Sequence, residues 1–547
     1  MYDLSGRDGT PSASDVGFKA HNLMRMAALG LPVPQGFVLG TGWCRDAHSV
    51  DSAGVQLSRM LQTCIGDLER KTGLGFGSGR RPLLLSVRSG APVSMPGMLE
   101  TVLNVGLNDA TLDGFLQRSG DHRLVWDSYR RLIQSFAEVV AGVPAAAFEA
   151  TLDAALRASG VREATELGYR ALRDLSRAYL DLHHKHTGRD FPQDPLAQLA
   201  AATRAVFASW YSPRAVEYRR LYSLSDQLGT AVTVQRMVFG NAGGVSGAGV
   251  AFTRDPALGE RRLYMDFLFD AQGEDIVAGR HTAEGSSELS VIAPDVLAEI
   301  ERVCPTLEAE FRDVQEFELT VEEGRLFLLQ ARPAKRTPWA ALRIATDQVH
   351  EGLISTQTAL ERVEELDLGD IRRVHVQDSN GWEPLCHAIP ASLGVAIGPL
   401  ALDRKAAERL ARAGTPAVLA RADAATEDVA AMSIAAGVLT SSGSRTSHAA
   451  VVARELGKPC LVGCTDLTVD LEARTAQIAG REIAEGNVVC IEAEAGLVYA
   501  GAPTLVEERP LEALREVATW RSSRAAQTAS DAGASPPRGE LGGTVVG

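Results

Sequence analysis

Along the first 115 residues, short apolar runs alternate with turns rich in glycine and proline. LPVPQGFVLG (31–40) and RPLLLSVRSG (81–90) read as strands bounded by these breakers. From 120 to 225 the pattern changes to Ala, Leu, Arg and Glu at helical spacing, as in VWDSYRRLIQSFAEVV (125–140). Strand-like segments return at 231–271 and 314–332. A helical connector is predicted over 338–366, then a looser stretch to 383. From IPASLGVAIG (389–398) onward the runs PAVLARA, GVLTSSG, CLVGC and VVCIEAEAGLVYAG alternate with helical segments. They predict a separate compact α/β domain ending near 500. A further helix is expected over 507–522, where Leu511, Leu514, Val517 and Trp520 share a face. The remainder, AAQTASDAGASPPRGELGGTVVG, is expected to be disordered. No short-period repeat is present.

The 547 residues suggest three or four domains or subdomains, in a multidomain α/β and α+β chain. No stretch of about 18 apolar residues occurs, and the N-terminus lacks a basic start and an apolar core. Neither a membrane span nor a secretory leader is expected, which points to the cytoplasm. With 55 basic against 69 acidic residues, the net charge of −14 argues against nucleic-acid or membrane partners. Only 6 of those basic residues are Lys, so a Lys inside a motif is more informative than an Arg. Seven scattered cysteines without a C-x-x-C suit reduced thiols. Cys460 and Cys464, four apart, lack a second ligand pair for a metal. His183, His184 and His186 read as a solvated helix face.

Three segments carry candidate chemistry. In SSGSRTSHAAVVARELGKPC (441–460), small residues precede Thr446, Ser447 and His448, and a helix follows. His448 therefore falls at a helix N-terminus, where free N–H groups and the dipole favour an anion such as a phosphoryl-imidazole. A histidine that merely caps the helix is the plainer reading. In MVFGNAGGVSGAGVAFTRDP (237–256), Gly243, Gly244, Gly247 and Gly249 cluster between two strands and could bring backbone N–H groups to phosphates. A simple glycine-rich hairpin fits equally. DVQEFELTVEEGRLFLLQARP (313–333) reads as a hairpin turning at 322–324. A three-residue turn would pair 321 with 325 and hence 316 with 330. Glu316, Glu318, Gln330 and Arg332 would then share one face, a hard-ligand set suited to Mg²⁺ on a nucleotide. A half-exposed hairpin is the alternative. Lys19 (before a helix), Arg88 (ending a strand) and Arg131 (in DSYRRLIQ) are candidate phosphate-binding cations.

These segments, in this order, resemble the pyruvate phosphate dikinase family. LGLPVPQGF, SVRSGAPVSMPGMLETVLNVGLND, WDSYRRLIQ, FGNAGGVSGAGVAFTRDPALGE, DAQGEDIVAG, EGRLFLLQAR and TSHAAVVAREL carry the likeness, spread from about 16 to 520. The resemblance implies an ATP-grasp nucleotide-binding domain (1–340, with a helical insertion near 120–225) and a helical connector (341–383). It further implies a swivelling β/β/α phosphohistidine domain (384–505) and a linker helix (506–522), with a disordered tail (523–547) beyond. Lys19, Arg88, Arg131, Gly243, Gly244, Gly247, Gly249 and Arg332 correspond to ATP and phosphate sites. Glu316, Glu318 and Gln330 correspond to the metal site, His448 to the phosphorylated histidine, and Thr446 and Ser447 to supporting or regulatory positions.

The implied activity is ATP-dependent autophosphorylation of histidine with Mg²⁺, then phosphoryl transfer toward pyruvate, with phosphate, pyrophosphate and AMP as the other participants. Two local departures stand out: Gly443-Ser444-Arg445 replaces the family's G-G-M, and PASLG with Leu393 replaces its P-A-S-P-G. The chain ends 27 residues after Trp520, too few for the family's pyruvate-binding barrel. The expectation is a split dikinase with a separate barrel protein as partner, and a homo-oligomer is a further possible assembly. A phosphotransferase acting on another small acceptor, like phosphoenolpyruvate synthase or the rifampicin phosphotransferases, and a non-catalytic regulatory homologue are the competing readings.

Overall fold

The computed structural model describes residues 1–533 apart from 8, 47–51, 94, 96–97, 162–163, 274–286, 378–381, 425–427 and 444–446. Two sheets build the N-terminal part. The first orders its strands Tyr2–Asp3, Gly36–Leu39, Ala231–Arg236, Leu85–Gly90 and Thr101–Val105, all antiparallel. The second runs Tyr264–Phe269, Gly247–Phe252, Gln315–Glu322 and Arg325–Pro333, also antiparallel. The strand expected at 31–40 begins only at Gly36, because the prolines of LPVPQ cannot donate to a ladder.

Helices fill most of the segment from Leu112 to Leu221. The longest, His122–Ala141, is capped by the Asp121 carboxylate, which accepts from Arg123 N at 2.7 Å, and ends at Gly142 in a left-handed conformation. Its apolar stripe, including Leu132, Ile133 and Phe136, is buried against the first sheet's core. His183, expected on a solvated face, is buried edge-on against Phe191. Leu172, Leu175 and Tyr179, earlier on its helix, share the buried side. Among the described residues, no group of three or more His, Cys, Asp or Glu is placed to hold a metal. No helix among them is long and apolar enough to cross a membrane.

The C-terminal domain has a mixed eight-stranded sheet. Its centre is parallel: Val395–Ala401, Val418–Arg421, Gly437–Thr440 and Cys460–Val462, the arrangement that βαβ crossovers impose. Antiparallel strands flank it, including Cys386–His387, Ile389–Ser392, Val488–Glu492 and Leu497–Ala500.

Between the two domains the chain departs from expectation. The predicted connector folds into helices Pro338–His350 and Thr356–Arg362 and a strand Arg373–Val376. That strand pairs with Leu505–Glu508, the outbound segment, so both tethers leave from one ribbon. The final helix runs Leu511–Gly533 rather than 507–522. Residues 505–508 are committed to the ribbon and Pro510 suits a helix start, while the Ala-rich run continues the helix past 522. Its backbone through 533 therefore overturns the disorder expected from 523, and 534–547 lie outside the described residues. Leu514, Val517 and Trp520 pack with Leu342, Ala345 and Leu360 of the connector helices, so this stripe is covered within the chain. Glu516 is bound by His350 Nε2 at 2.6 Å.

Candidate active site

A cleft of ≈ 650 Å³ lies between the two N-terminal sheets. Arg88, Gln235, Arg236 and Met237 line one wall and Gly249, Glu318, Thr320 and Leu329 the other. Cations and carboxylates converge at one end. Arg88, within the strand Leu85–Gly90 and not at its end, stands 3.6 Å from Glu318, and Arg332 donates to Glu316.

Lys19 belongs to this cluster through backbone geometry. It lies within the helix Ala13–Ala28, not before it, but the helix breaks at Gly17 (φ 78°, ψ 155°). A Cβ on Gly17 would stand 1.9 Å from the carbonyl oxygen of Gly90, the last residue of the Arg88 strand. Phe18 N donates to Ala91 O at 2.9 Å. Glycine thus lets the helix start touch that strand's end, which brings Lys19 to Arg88. Burial and the Arg88 charge, with Arg332 beyond it, push the Lys19 ammonium down to about 7 against the opposition of Glu318. Burial pushes the Glu318 carboxyl upward, but Lys19, Arg88 and Arg332 together hold it below the usual range. Burial also works against the Arg332 charge, but Glu316, Glu318 and Glu455 together outweigh it and hold the guanidinium above its usual range.

The hairpin carries all four predicted polar groups on one face, but not in the predicted register. Its turn has two residues, Glu323 and Gly324, both with positive φ (50° and 75°). This pairs Glu322 with Arg325 and Leu319 with Leu328. A bulge at Leu329 then shifts the ladder, so Glu318 faces Gln330 and Glu316 faces Arg332, not Gln330. Two carboxylates and an amide oxygen beside an open cleft fit a nucleotide-bound Mg²⁺.

The other candidates sort differently. Gly243 and Gly244 occupy the tip of the loop before the second sheet, both with positive φ. Gly247 and Gly249 are strand residues, and of these Gly249 lines the cleft. Arg131 is held by Asp127 at 2.8 Å and is not among the described residues lining the cleft. Asp127 also accepts from Arg130. Burial raises the Asp127 carboxyl, but the two guanidiniums hold it far below the usual range. Sequence reasoning missed Gln235, Arg236, Gln272 and Thr320, which line the cleft. Polar Gln235-Arg236 ending the apolar run AVTV was the available signal.

In the C-terminal domain, His448 opens the helix His448–Glu455, with Ser447 extended before it (φ −60°, ψ 161°). Among the described residues, Ser447 Oγ and His448 Nε2 are buried without a hydrogen-bond partner. Thr446, with the departures Ser444 and Arg445, lies outside the described residues. The helix's other end meets the nucleotide-cleft domain: Glu455 pairs with Lys335 at 2.9 Å, and the Arg454 guanidinium lies over the Phe252 ring at 5.6 Å. Tyr264 OH donates to Pro390 O at 3.1 Å.

Comparison with known proteins agrees with this division. A profile of the pyruvate phosphate dikinase AMP/ATP-binding domain matches residues 51–290, and one of the PEP-utilising enzyme mobile domain matches 414–496. Pyruvate, phosphate dikinase of Clostridium symbiosum is 41% identical over 493 residues, 89% of this chain and 56% of its own length. The Rhizobium meliloti enzyme of the same name is 40% identical over 517 residues, covering 92% and 58%. Pyruvate, phosphate dikinase 2 of Oryza sativa is 41% identical over 497 residues, covering 90% and 56%. The chain thus spans little more than half the length of these curated relatives. By its nucleotide-cleft domain and its His448 domain, it belongs to the pyruvate phosphate dikinase family.

Proposed function

We propose that this chain carries the nucleotide half-reaction of a pyruvate phosphate dikinase: ATP and phosphate react with His448 to give phosphohistidine, AMP and pyrophosphate. The observation that carries the reading is the charged cluster in which Lys19, Arg332 and Glu316 gather around Arg88 and Glu318, the two members that line the cleft. Three cations around two carboxylates match a polyphosphate chain that arrives with a divalent ion. Lys19, Arg88 and Arg332 bind and orient the phosphates. Glu316, Glu318 and Gln330 would hold Mg²⁺, which when bound supplies charge neutralisation at the phosphoryl oxygens. In phosphoryl transfer such positioning and neutralisation do most of the work.

His448 Nε2, without a hydrogen-bond partner among the described residues, attacks the β-phosphoryl, and the γ-phosphoryl passes to phosphate to form pyrophosphate. The His448 domain is tethered by one two-stranded ribbon, which suits a unit that swings between two stations. The second station, where phosphohistidine meets pyruvate, is contributed from outside residues 1–547; a separately encoded barrel is one such source.

The test uses ATP labelled at either position, in Mg²⁺ and phosphate. The protein should retain β label, acid-labile and base-stable, while γ label appears in pyrophosphate. Retention of γ label, or equal labelling of His448→Ala, would overturn the reading.

A further inference from the structure

Cys386 and Cys464 are 78 residues apart in sequence, yet their Sγ atoms stand 3.3 Å apart in the core of the His448 domain. Both thiols are free and buried. Cys386 sits on the first strand after the inbound tether, and Leu385 beside it donates to Val498 O at 2.6 Å. Cys464 follows the strand Cys460–Val462 and donates from its backbone to Thr440 O at 2.9 Å. Its neighbour Gly463 donates to Ser442 O at 3.2 Å. Thr440 to Gly443 precede His448 in the chain, and Gly443 lies against Ser447, the neighbour of His448. The pair therefore joins the point where the chain enters the domain to the support of its nucleophile.

We infer that Cys386 and Cys464 are an oxidisable thiol pair, a modification site for a peroxide, whose disulfide slows phosphorylation of His448. The chemistry needs no metal. A Cys464 thiolate attacks hydrogen peroxide, forming an S–O bond and releasing hydroxide, which takes up the proton that thiol lost. The Cys386 sulfur then attacks the sulfenic sulfur. The S–S bond forms, the S–O bond breaks, and the departing oxygen leaves as water with the Cys386 proton. In total, two thiols and one peroxide give one disulfide and two waters; an external dithiol reverses it by exchange. Either thiol can donate in this contact; with Cys386 as the donor, the Cys464 thiol is lowered against the opposing effects of burial and Asp466, which makes Cys464 the attacking sulfur.

Closing 3.3 Å to a bond of about 2.05 Å requires an approach of about 1.2 Å. Little slack exists to absorb it. Cys464 is tied to Thr440, and Gly443 (φ 109°) lies so close to Ser447 that a Cβ there would stand 3.1 Å from Ser447 Oγ. The displacement is thus passed toward His448, and misplacing a reacting group by about 1 Å costs up to roughly 10²-fold in rate.

This inference rests on the proposed function only for its activity readout. The full chain, treated with hydrogen peroxide and digested without reductant, should yield a peptide linking 386 to 464, two hydrogens lighter than the reduced pair. His448 labelling by Mg·ATP should fall about tenfold or more and return with dithiothreitol. Cys386→Ser should label at the reduced rate with and without peroxide; Cys464→Ala is the second variant should the first fail to fold. Absence of the linked peptide, or an unchanged labelling rate when it is present, would overturn the inference. If the reduced protein takes no label at all, the proposed function fails, and the linked peptide still decides whether the site exists.

Discussion

Arg332 lies directly across the hairpin from Glu316 and donates to its carboxylate, a pairing made only because Leu329 is bulged out of the ladder. Extended without the bulge, the register of the turn would set Glu316 opposite Ala331 and Glu318 opposite Leu329. A one-residue slip flips every later side chain to the other face, so Gln330 and Arg332 would point away from the carboxylates.

Deleting Leu329 removes the extra residue and lets Gln330 follow Leu328 in an unbulged ladder, still opposite Glu318, with Arg332 opposite Glu316, so His448 labelling should be largely retained. Leu329→Ala, which keeps the bulge, should lose only part of the cleft wall and retain most activity. Labelling rates of the two variants, with circular dichroism as a fold check, decide the point. Loss of labelling in the deletion alone would show that the bulge itself, and not only the pairing it sets, is required.

Glu316→Gln, Glu318→Gln and Arg332→Ala should each lower labelling by roughly 10²–10³, the usual cost of one transition-state charge contact. The unfolding temperature should fall modestly for Glu318→Gln, because its carboxylate is held ionised by Lys19, Arg88 and Arg332. A labelling rate within a few-fold of wild type in any of the three would remove that residue from the site.

Lys19 provides a proton count. In the nucleotide-free protein its ammonium is pushed down to about 7 from 10.5, so at pH 8 most molecules carry it neutral. Bound phosphates favour the charged form. ATP binding at pH 8 should then take up a proton, with little uptake at pH 6, and affinity should weaken as pH rises above 7. Calorimetry in buffers of different ionisation enthalpy reads the uptake. Lys19→Met should lose it; an unchanged count in that variant contradicts the assignment.

Gly17→Ala should act on the same cluster from a distance. Its Cβ would overlap the Gly90 carbonyl, and φ of 78° is strained for alanine. The helix start must move off the strand, separating Lys19 from Arg88. Weaker ATP binding together with a lowered unfolding temperature is expected. Wild-type affinity would mean that the contact at Gly90 does not position Lys19.

A swing of the His448 domain would have to use the short joins between ribbon and domain. The connector helices and the strand Arg373–Val376 are packed or paired, Gln377 N bonds Thr504 O at 2.9 Å, and Leu385 N and Gly501 N already bond within the domain, so the joins are confined to 378–384 and 502–503. Shortening 378–384 by three residues should spare ATP binding, measured by calorimetry, yet block either labelling of His448 or its onward transfer. If both half-reactions persist, the domain does not need to swing.

Much of this protein was legible in its sequence where the determining forces are local. Helical spacing in 125–140 and the Thr-Ser-His before an apolar run act within a few residues of chain. So does the alternation that puts Glu316 with Glu318, and Gln330 with Arg332. Motif resemblance reached further and named Arg88 and its neighbours Lys19 and Arg332, but it missed Arg236 and included Arg131, which is not among the described residues lining the cleft. The tertiary structure alone decided which distant pieces meet. A bulge depends on sheet twist and packing, so no local signal marked Leu329. The ribbon of 373–376 with 505–508 and the covered stripe of 511–533 are long-range pairings, chosen because unpaired edges and apolar faces find partners in the folded chain. Cys386 beside Cys464, and Lys19 beside Arg88, are of the same kind. Sequence spacing says nothing of such proximity until the backbone between them has been folded.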